Sequence, residues 1–193
     1  RYYVIGWCSH FCHFVAETEC LKDDFMLEFA IDVSNLHFSY QENPVLKQVS
    51  FSIAPGKYYG IVGANGAGKS TLLSCLSGYL PIQLGEIRLC GKKLMTLAPR
   101  QIARKIAQIP QEYAFQFDFS VSEIVQSGRF PYLWFFKKYN SHDYEIAFSN
   151  MKLLDIEHLK NRPFSHLSGG EKQRVMIARA FSQQTPIIFL DEA

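Results

Sequence analysis

Gly63-Ala64-Asn65-Gly66-Ala67-Gly68-Lys69-Ser70 fits the pattern G-x-x-x-x-G-K-[ST] at every fixed position. Glycines let a backbone curl until successive N–H groups face inward, which makes a nest for an anion. The context is also the one the pattern needs. Tyr58–Val62 is a short apolar run that predicts a buried parallel strand, and a helix is predicted from Lys69 to about Ser77, closed by Gly78. The positive end of that helix adds to the nest. Lys69 is placed to reach β- and γ-phosphate oxygens, the Ser70 hydroxyl to ligate Mg²⁺, and Thr71 completes a nucleotide-binding set running from Gly63. A glycine-rich turn that merely precedes Lys-Ser is the plainer alternative; a strand and a helix in register argue against it.

The partner of this loop stands near the other end of the sequence. Ile187-Ile188-Phe189-Leu190-Asp191-Glu192 is a fully apolar strand followed by two carboxylates. Ligands of parallel sheets bind at the carboxyl ends of strands, so Asp191 is a candidate for holding Mg²⁺ and Glu192 for polarising the attacking water. An apolar strand ending in Asp-Glu is commonplace. Paired with a phosphate loop it becomes a candidate catalytic pair.

Between these landmarks the text alternates strand and helix. Leu27, Phe29 and Ile31 alternate with Glu28, Ala30 and Asp32, a period-2 strand, and Val49–Ile53 reads as a second strand before the turn Ala54-Pro55-Gly56. Gly85–Leu89 and Lys105–Ile109 read as strands, with a short helix over Pro99–Lys105. From Gln111 to about Leu167 the pattern turns helical: Ser120 and Glu123 have capping-box spacing, and Tyr144, Ala147, Phe148, Met151 and Leu154 line one predicted apolar face. A last helix is predicted over Gly170–Ser182. Strand, loop and helix, a helical insert and a return to a buried strand make an α/β nucleotide-binding architecture.

Composition narrows the function classes. The 193 residues suffice for one domain, and 48% hydrophobic with 20% charged residues is ordinary for a globular chain. A net charge of +2 gives no electrostatic case for nucleic acid. The five cysteines, Cys8, Cys12, Cys20, Cys75 and Cys90, lack framework spacing and read as free thiols. Cys8, His10, Cys12, His13 and Cys20 lack the paired Cys-x2-Cys spacing of structural zinc. No segment reaches the ~20 apolar residues of a membrane-spanning helix, and Tyr2–Ala16 lacks a convincing cleavage site, so a cytosolic placement is expected. Residues 1–25 do not resemble the rest; the expectation is an atypical extension, with Met26 as the start of the native chain.

Leu167-Ser168-Gly169-Gly170-Glu171-Lys172-Gln173-Arg174 resembles the signature sequence of ABC ATPases, just upstream of the acidic strand. Gln111, after Ile109-Pro110, resembles that family's Q-loop, and Tyr40 its adenine-stacking aromatic. The resemblance covers about Leu27 to Ala193, with five motifs in order. It implies an α/β P-loop NTPase core of the ABC ATPase type, with a mixed β-sheet, a small antiparallel β subdomain and a helical subdomain insert at about 112–170, in a truncated domain over 26–193. It also implies ATP and Mg²⁺ as cofactors, with Ser70, Gln111 and Asp191 about the metal and Glu192 as the catalytic base. A head-to-tail dimer is implied in which Ser168, Gly169, Gly170 and Glu171 contact the nucleotide held by the other copy. Further implied partners are an integral membrane permease and, indirectly, a periplasmic or lipoprotein solute-binding protein, on the cytoplasmic side of the inner membrane. The dense aromatics around Tyr113–Phe119 and Phe130–Phe136 are candidates for the permease interface, with Tyr132 and Trp134 as test positions.

Gln101-Ile102-Ala103-Arg104, Val121-Ser122-Glu123-Ile124-Val125 and Gly128-Arg129-Phe130-Pro131-Tyr132 resemble the subfamily importing iron–siderophores, haem and cobalamin, and Glu171 in place of a common Gln agrees. Members of the family continue past the catalytic strand with a dimer-contacting loop and a γ-phosphate-sensing His, so the 193 residues are expected to bind nucleotide but to hydrolyse it poorly. Two alternatives stay open: a soluble ABC ATPase outside transport, and an inactive gene remnant.

Overall fold

The computed structural model describes residues 3–5, 28–110, 117–133 and 138–191. Two hydrophobic cores share one wall. The first is built on a four-stranded antiparallel sheet of order β3-β2-β4-β5, from β2 (Ile31–Tyr40), β3 (Asn43–Ile53), β4 (Leu84–Leu89) and β5 (Lys92–Lys93). The second packs around helices α3 (Val121–Ser127), α4 (Ser141–Leu153) and α5 (Gly169–Ser182). The wall is a parallel sheet of order β1-β7-β6, from β1 (Tyr3–Ile5), β6 (Ile106–Ile109) and β7 (Ile187–Leu190). The expected mixture of parallel and antiparallel strands is thus divided between two sheets.

Why β7 is continuously apolar follows from this layout. Side chains alternate across a strand: Ile187 and Phe189 enter the core shared with the antiparallel sheet, and Ile188 enters the helical one. Strand β6 divides likewise, Ile106 to one side, Ala107 and Ile109 to the other. A strand buried on both faces cannot alternate in polarity.

The helix ends obey local chemistry. Helix α1 (Lys69–Leu76) begins at Gly68, whose φ of 86° is left-handed, and Gly78 follows its end at φ 73°. Helix α2 (Pro99–Ala103) has its proline in the first turn. The predicted capping box holds at α3: Glu123 accepts from both the Ser120 N–H and hydroxyl, and its pKa lies below the usual range because of the Ser120 side-chain and backbone hydrogen bonds. Among the described residues no helix is long and apolar enough to cross a membrane. Cys75 and Cys90 are both buried, and desolvation raises the Cys75 pKa.

Three sequence expectations are corrected. Tyr58–Val62 is not a strand: only Tyr59 makes an isolated bridge, and Tyr58 and Val62 are 65% and 84% exposed. An apolar run forms a strand only where a neighbour offers hydrogen bonds along it, and here ladder pairing is confined to Tyr59. The apolar face of α4 is rotated, with Asp143, Ile146, Ala147 and Met151 buried while Tyr144 and Phe148 stay exposed. Finally, β2 runs further than expected, to Tyr40, and β3 begins as early as Asn43. Met26, Leu27 and the residues Cys8, His10, Cys12, His13 and Cys20 lie outside the described residues, as do Gln111, Tyr113, Phe115, Trp134, Phe135, Phe136 and Glu192.

Candidate nucleotide site

The glycine loop is held open by its own stereochemistry. Gly66 and Gly68 have φ of 80° and 86°, a region that L side chains rarely enter. A Cβ on Gly68 would also come within 2.9 Å of Val45 and 3.2 Å of Leu46, on β3. The loop therefore rests against the antiparallel sheet, on the strand that follows the hairpin turn carrying Tyr40. Tyr40 is 49% exposed and meets Phe38 edge-on at 4.9 Å. Its exposed face is free for stacking on a planar ring.

Inside the loop the Lys69 ammonium donates to the carbonyls of Gly63 and Ala64, at 2.8 and 2.9 Å. The amine is thus folded back into the concavity of its own loop. Strand β7 brings Asp191 to the same place. Its N–H donates to the Ile109 carbonyl, fixing the backbone, and its Oδ1 lies 3.4 Å from the Ser70 hydroxyl, which donates to it. Residues 121 positions apart in sequence thus converge at one point. A magnesium ion takes oxygen ligands at ~2.1 Å in octahedral geometry, which sets neighbouring ligand oxygens roughly 3 Å apart. A hydroxyl and a carboxylate oxygen at 3.4 Å fit that demand with little adjustment.

A second glycine turn heads α5. Ser168 is its N-cap; Glu171 accepts from the Ser168 N–H and hydroxyl, both at 2.7 Å, and the Glu171 N–H returns to the Ser168 oxygen. The backbone and side-chain hydrogen bonds from Ser168 hold the Glu171 carboxyl below its usual pKa. A Cβ on Gly169 or Gly170 would meet nothing within 4 Å. Internal packing gives no reason for glycine at either position.

Of the predicted site residues, the structure unites Gly63–Thr71 with Asp191, places Tyr40 on the neighbouring sheet, and leaves Ser168–Glu171 at the exposed head of α5. Tyr132 is not the exposed anchor that its neighbourhood suggests. It is half-buried, its ring lies 4.1 Å from the Arg129 guanidinium carbon, and its hydroxyl donates to the Gln183 carbonyl at 3.0 Å. Among the described residues of this stretch, Phe130 and Phe117, 70% and 71% exposed, face outward most, and Phe119 is also exposed. The sequence reading also missed the buried pair Arg129–Asp143, at 2.9 Å. No local pattern ties two such residues together; only a buried position for Asp143 on α4 would have betrayed it.

Residues 46–193 match the family model of the ABC transporter. The chain belongs to that family. An ABC relative described as a probable iron chelatin transport ATP-binding protein of Helicobacter pylori is 39% identical over 163 residues, 84% of this chain and 64% of that protein. The hemin import ATP-binding protein HmuV of Nocardia farcinica is 42% identical over 148 residues, 77% of this chain and 51% of its own. An inward-facing structure of a metal-chelate type ABC transporter superimposes with a TM-score of 0.73 at 35% identity, over 86% of this chain and 60% of that one. The chain therefore spans about half to two thirds of these ABC relatives, and its architecture is the P-loop fold of the ABC ATPases.

Proposed function

We propose that this chain is the nucleotide-binding portion of an ABC importer ATPase that couples ATP binding and hydrolysis to uptake of a metal chelate through a partner permease. The convergence of Ser70 and Asp191 at the mouth of a loop that already turns the Lys69 amine inward carries the nucleotide half of this reading. Gly63–Thr71 would hold the phosphates, with Lys69 as the charged clamp and the backbone N–H groups as the nest. Ser70 and Asp191, with Gln111, would hold Mg²⁺, which supplies charge neutralisation on the phosphate oxygens when bound. Tyr40 would stack on adenine, and Glu192 would orient the attacking water.

The bare glycines at 169 and 170 support a trans role for the α5 head. Open space above them fits close approach of nucleotide held by a second copy, with Ser168 and Glu171 at the rim. In domain terms the proposal is one ABC domain over 26–193 with a helical insert at about 112–170, working at the cytoplasmic face of the inner membrane. The permease partner and a solute-binding protein reached through it rest on the family, and a metal-chelate cargo on the iron chelatin and hemin relatives.

The test uses the full-length protein co-expressed with its candidate permease. Mg-ATP binding with magnesium-dependent hydrolysis, stimulated in the assembled complex, together with chelate-dependent uptake into vesicles, is the expected result. Hydrolysis without any permease association would instead support a soluble ABC ATPase, and absence of ATP binding would defeat the whole reading.

A further inference from the structure

The helical portion is joined to the parallel sheet by two covalent links, residues 110–120 between β6 and α3 and residues 183–186 between α5 and β7. The second link is clamped. Arg129, only 4% exposed, pairs with Asp143 of α4 and spends its remaining fork on the end of α5, donating to the Ser182 carbonyl at 3.0 Å and the Gln184 side-chain oxygen at 2.8 Å. A cation at a helix C-terminus satisfies carbonyls that the helix itself leaves open. Tyr132 adds its hydroxyl to the Gln183 carbonyl, and the Gln183 amide in turn donates to the carbonyls of Ala103 and Ile106, at the foot of β6. Gly128 lets these parts close: a Cβ there would lie 2.2 Å from the Arg179 carbonyl of α5. One polar path thus runs from α4 through Arg129 to the α5–β7 elbow and on to β6.

A buried ion pair is a poor way to gain stability, since desolvation offsets its Coulomb attraction. What it does supply is a fixed geometry. Helix α5 carries Ser168–Gly170 at its head and the clamped elbow at its foot, and β7, which ends at Asp191, begins just past that elbow. At ~1.5 Å per residue the 14 residues of α5 form a lever of about 21 Å, so a tilt of about 10° at the elbow moves the head by roughly 4 Å. That is more than a hydrogen bond to phosphate tolerates.

We infer that Arg129 is a positioning residue for hydrolysis: it locks the α5–β7 elbow so that the Ser168–Gly170 head and Asp191 are held at a fixed relative height. The inference rests on the proposed function. Arg129 touches no nucleotide; it acts through α5.

The test compares wild type, Arg129→Lys and Tyr132→Phe in the full-length protein. Arg129→Lys keeps the charge and loses the fork, and Tyr132→Phe removes one hydroxyl without stranding a charge. Steady-state ATPase gives kcat and KM, fluorescent ATP-analogue titration gives monomer affinity, and thermal melting checks folding. Nitroxides on ketone-bearing residues at Lys92 and Asn161, both exposed, report the distance between the antiparallel sheet and the helical portion. Arg129→Lys is expected to lower kcat at least tenfold, and Tyr132→Phe about threefold, with KM and analogue affinity within twofold and a broader inter-nitroxide distribution. Unchanged kcat and an unchanged distribution in folded variants overturn the lock, and so does a loss of analogue affinity that parallels the loss of kcat. Absence of hydrolysis by wild type overturns the proposed function and the catalytic role together, while the distance distribution still decides whether Arg129 fixes the elbow.

Discussion

Among the described residues two helix heads are glycine-rich, at Gly68 and at Ser168–Gly170, and they use glycine for opposite reasons. At Gly68 the chain must be glycine: φ is left-handed and Val45 stands 2.9 Å from where a Cβ would go. At Gly169 and Gly170 neither constraint exists, since both lie in α5 with open space around them. The first head also has its cationic side chain turned into its own carbonyls and a carboxylate close by, whereas the second has capped itself with Glu171. Where the fold demands the glycine, the loop meets a carboxylate of the same chain. Where the fold does not, packing within the chain gives the glycine no reason to be there.

That contrast can be broken by substitution, the largest effect coming first. Lys69→Ala removes a charge-assisted hydrogen-bond donor worth about 1.5–3 kcal/mol, so ATP affinity measured by titration calorimetry should fall by about 10- to 150-fold. Gly68→Ala must relieve both strain and a contact on β3. A non-glycine residue in the left-handed region costs about 1–2 kcal/mol, so melting should drop by several degrees and nucleotide binding with it. Gly170→Ala should do the reverse to stability, raising it by up to ~1 kcal/mol because alanine is the better helix former. Binding by the monomer should persist while hydrolysis by the full-length protein collapses; a variant that hydrolyses normally would remove the case for an outside partner.

Smaller effects sharpen the same comparison. Ser168→Ala removes an N-cap and should lower stability by about 1 kcal/mol, read as a melting shift of roughly 2–4 °C. Acid should reach the same turn through Glu171. Its folded pKa is below the ordinary one, so its contribution is intact above the usual carboxylate range and is lost as pH falls through the lowered value. Stability measured from pH 7 downward should therefore hold and then decline below about pH 4.5, with a shallower decline in Glu171→Gln.

Much of this was readable from the residues because local rules govern it. The phosphate loop, the capping box at Ser120 and the buried strand Ile187–Leu190 depend on neighbours a few positions away. What was misread depends on partners far off. Tyr58–Val62 has the composition of a strand, but composition encodes burial and not the neighbour that accepts its hydrogen bonds. The α4 face differs from the one that apolar spacing predicts because Asp143 is buried on it. Its pairing with Arg129 draws it inward and turns Tyr144 and Phe148 to the rim, where Phe148 lies 4.7 Å from the Lys152 amine. The internal contacts of Tyr132 are likewise invisible to sequence, since a stack on arginine and a bond to the Gln183 carbonyl leave no trace in spacing.

Strand β7 is a shared wall between two cores, and this has a consequence for how the protein is made. Its neighbours in the sheet are Ile106–Ile109 and Tyr3–Ile5, both synthesised long before it. Until Ile187–Leu190 leave the ribosome, the antiparallel sheet and the helical bundle each present an uncovered apolar flank where Ile187, Ile188 and Phe189 will sit. A nascent chain therefore completes the antiparallel sheet, and then the helical bundle, before the one segment that seals both has emerged.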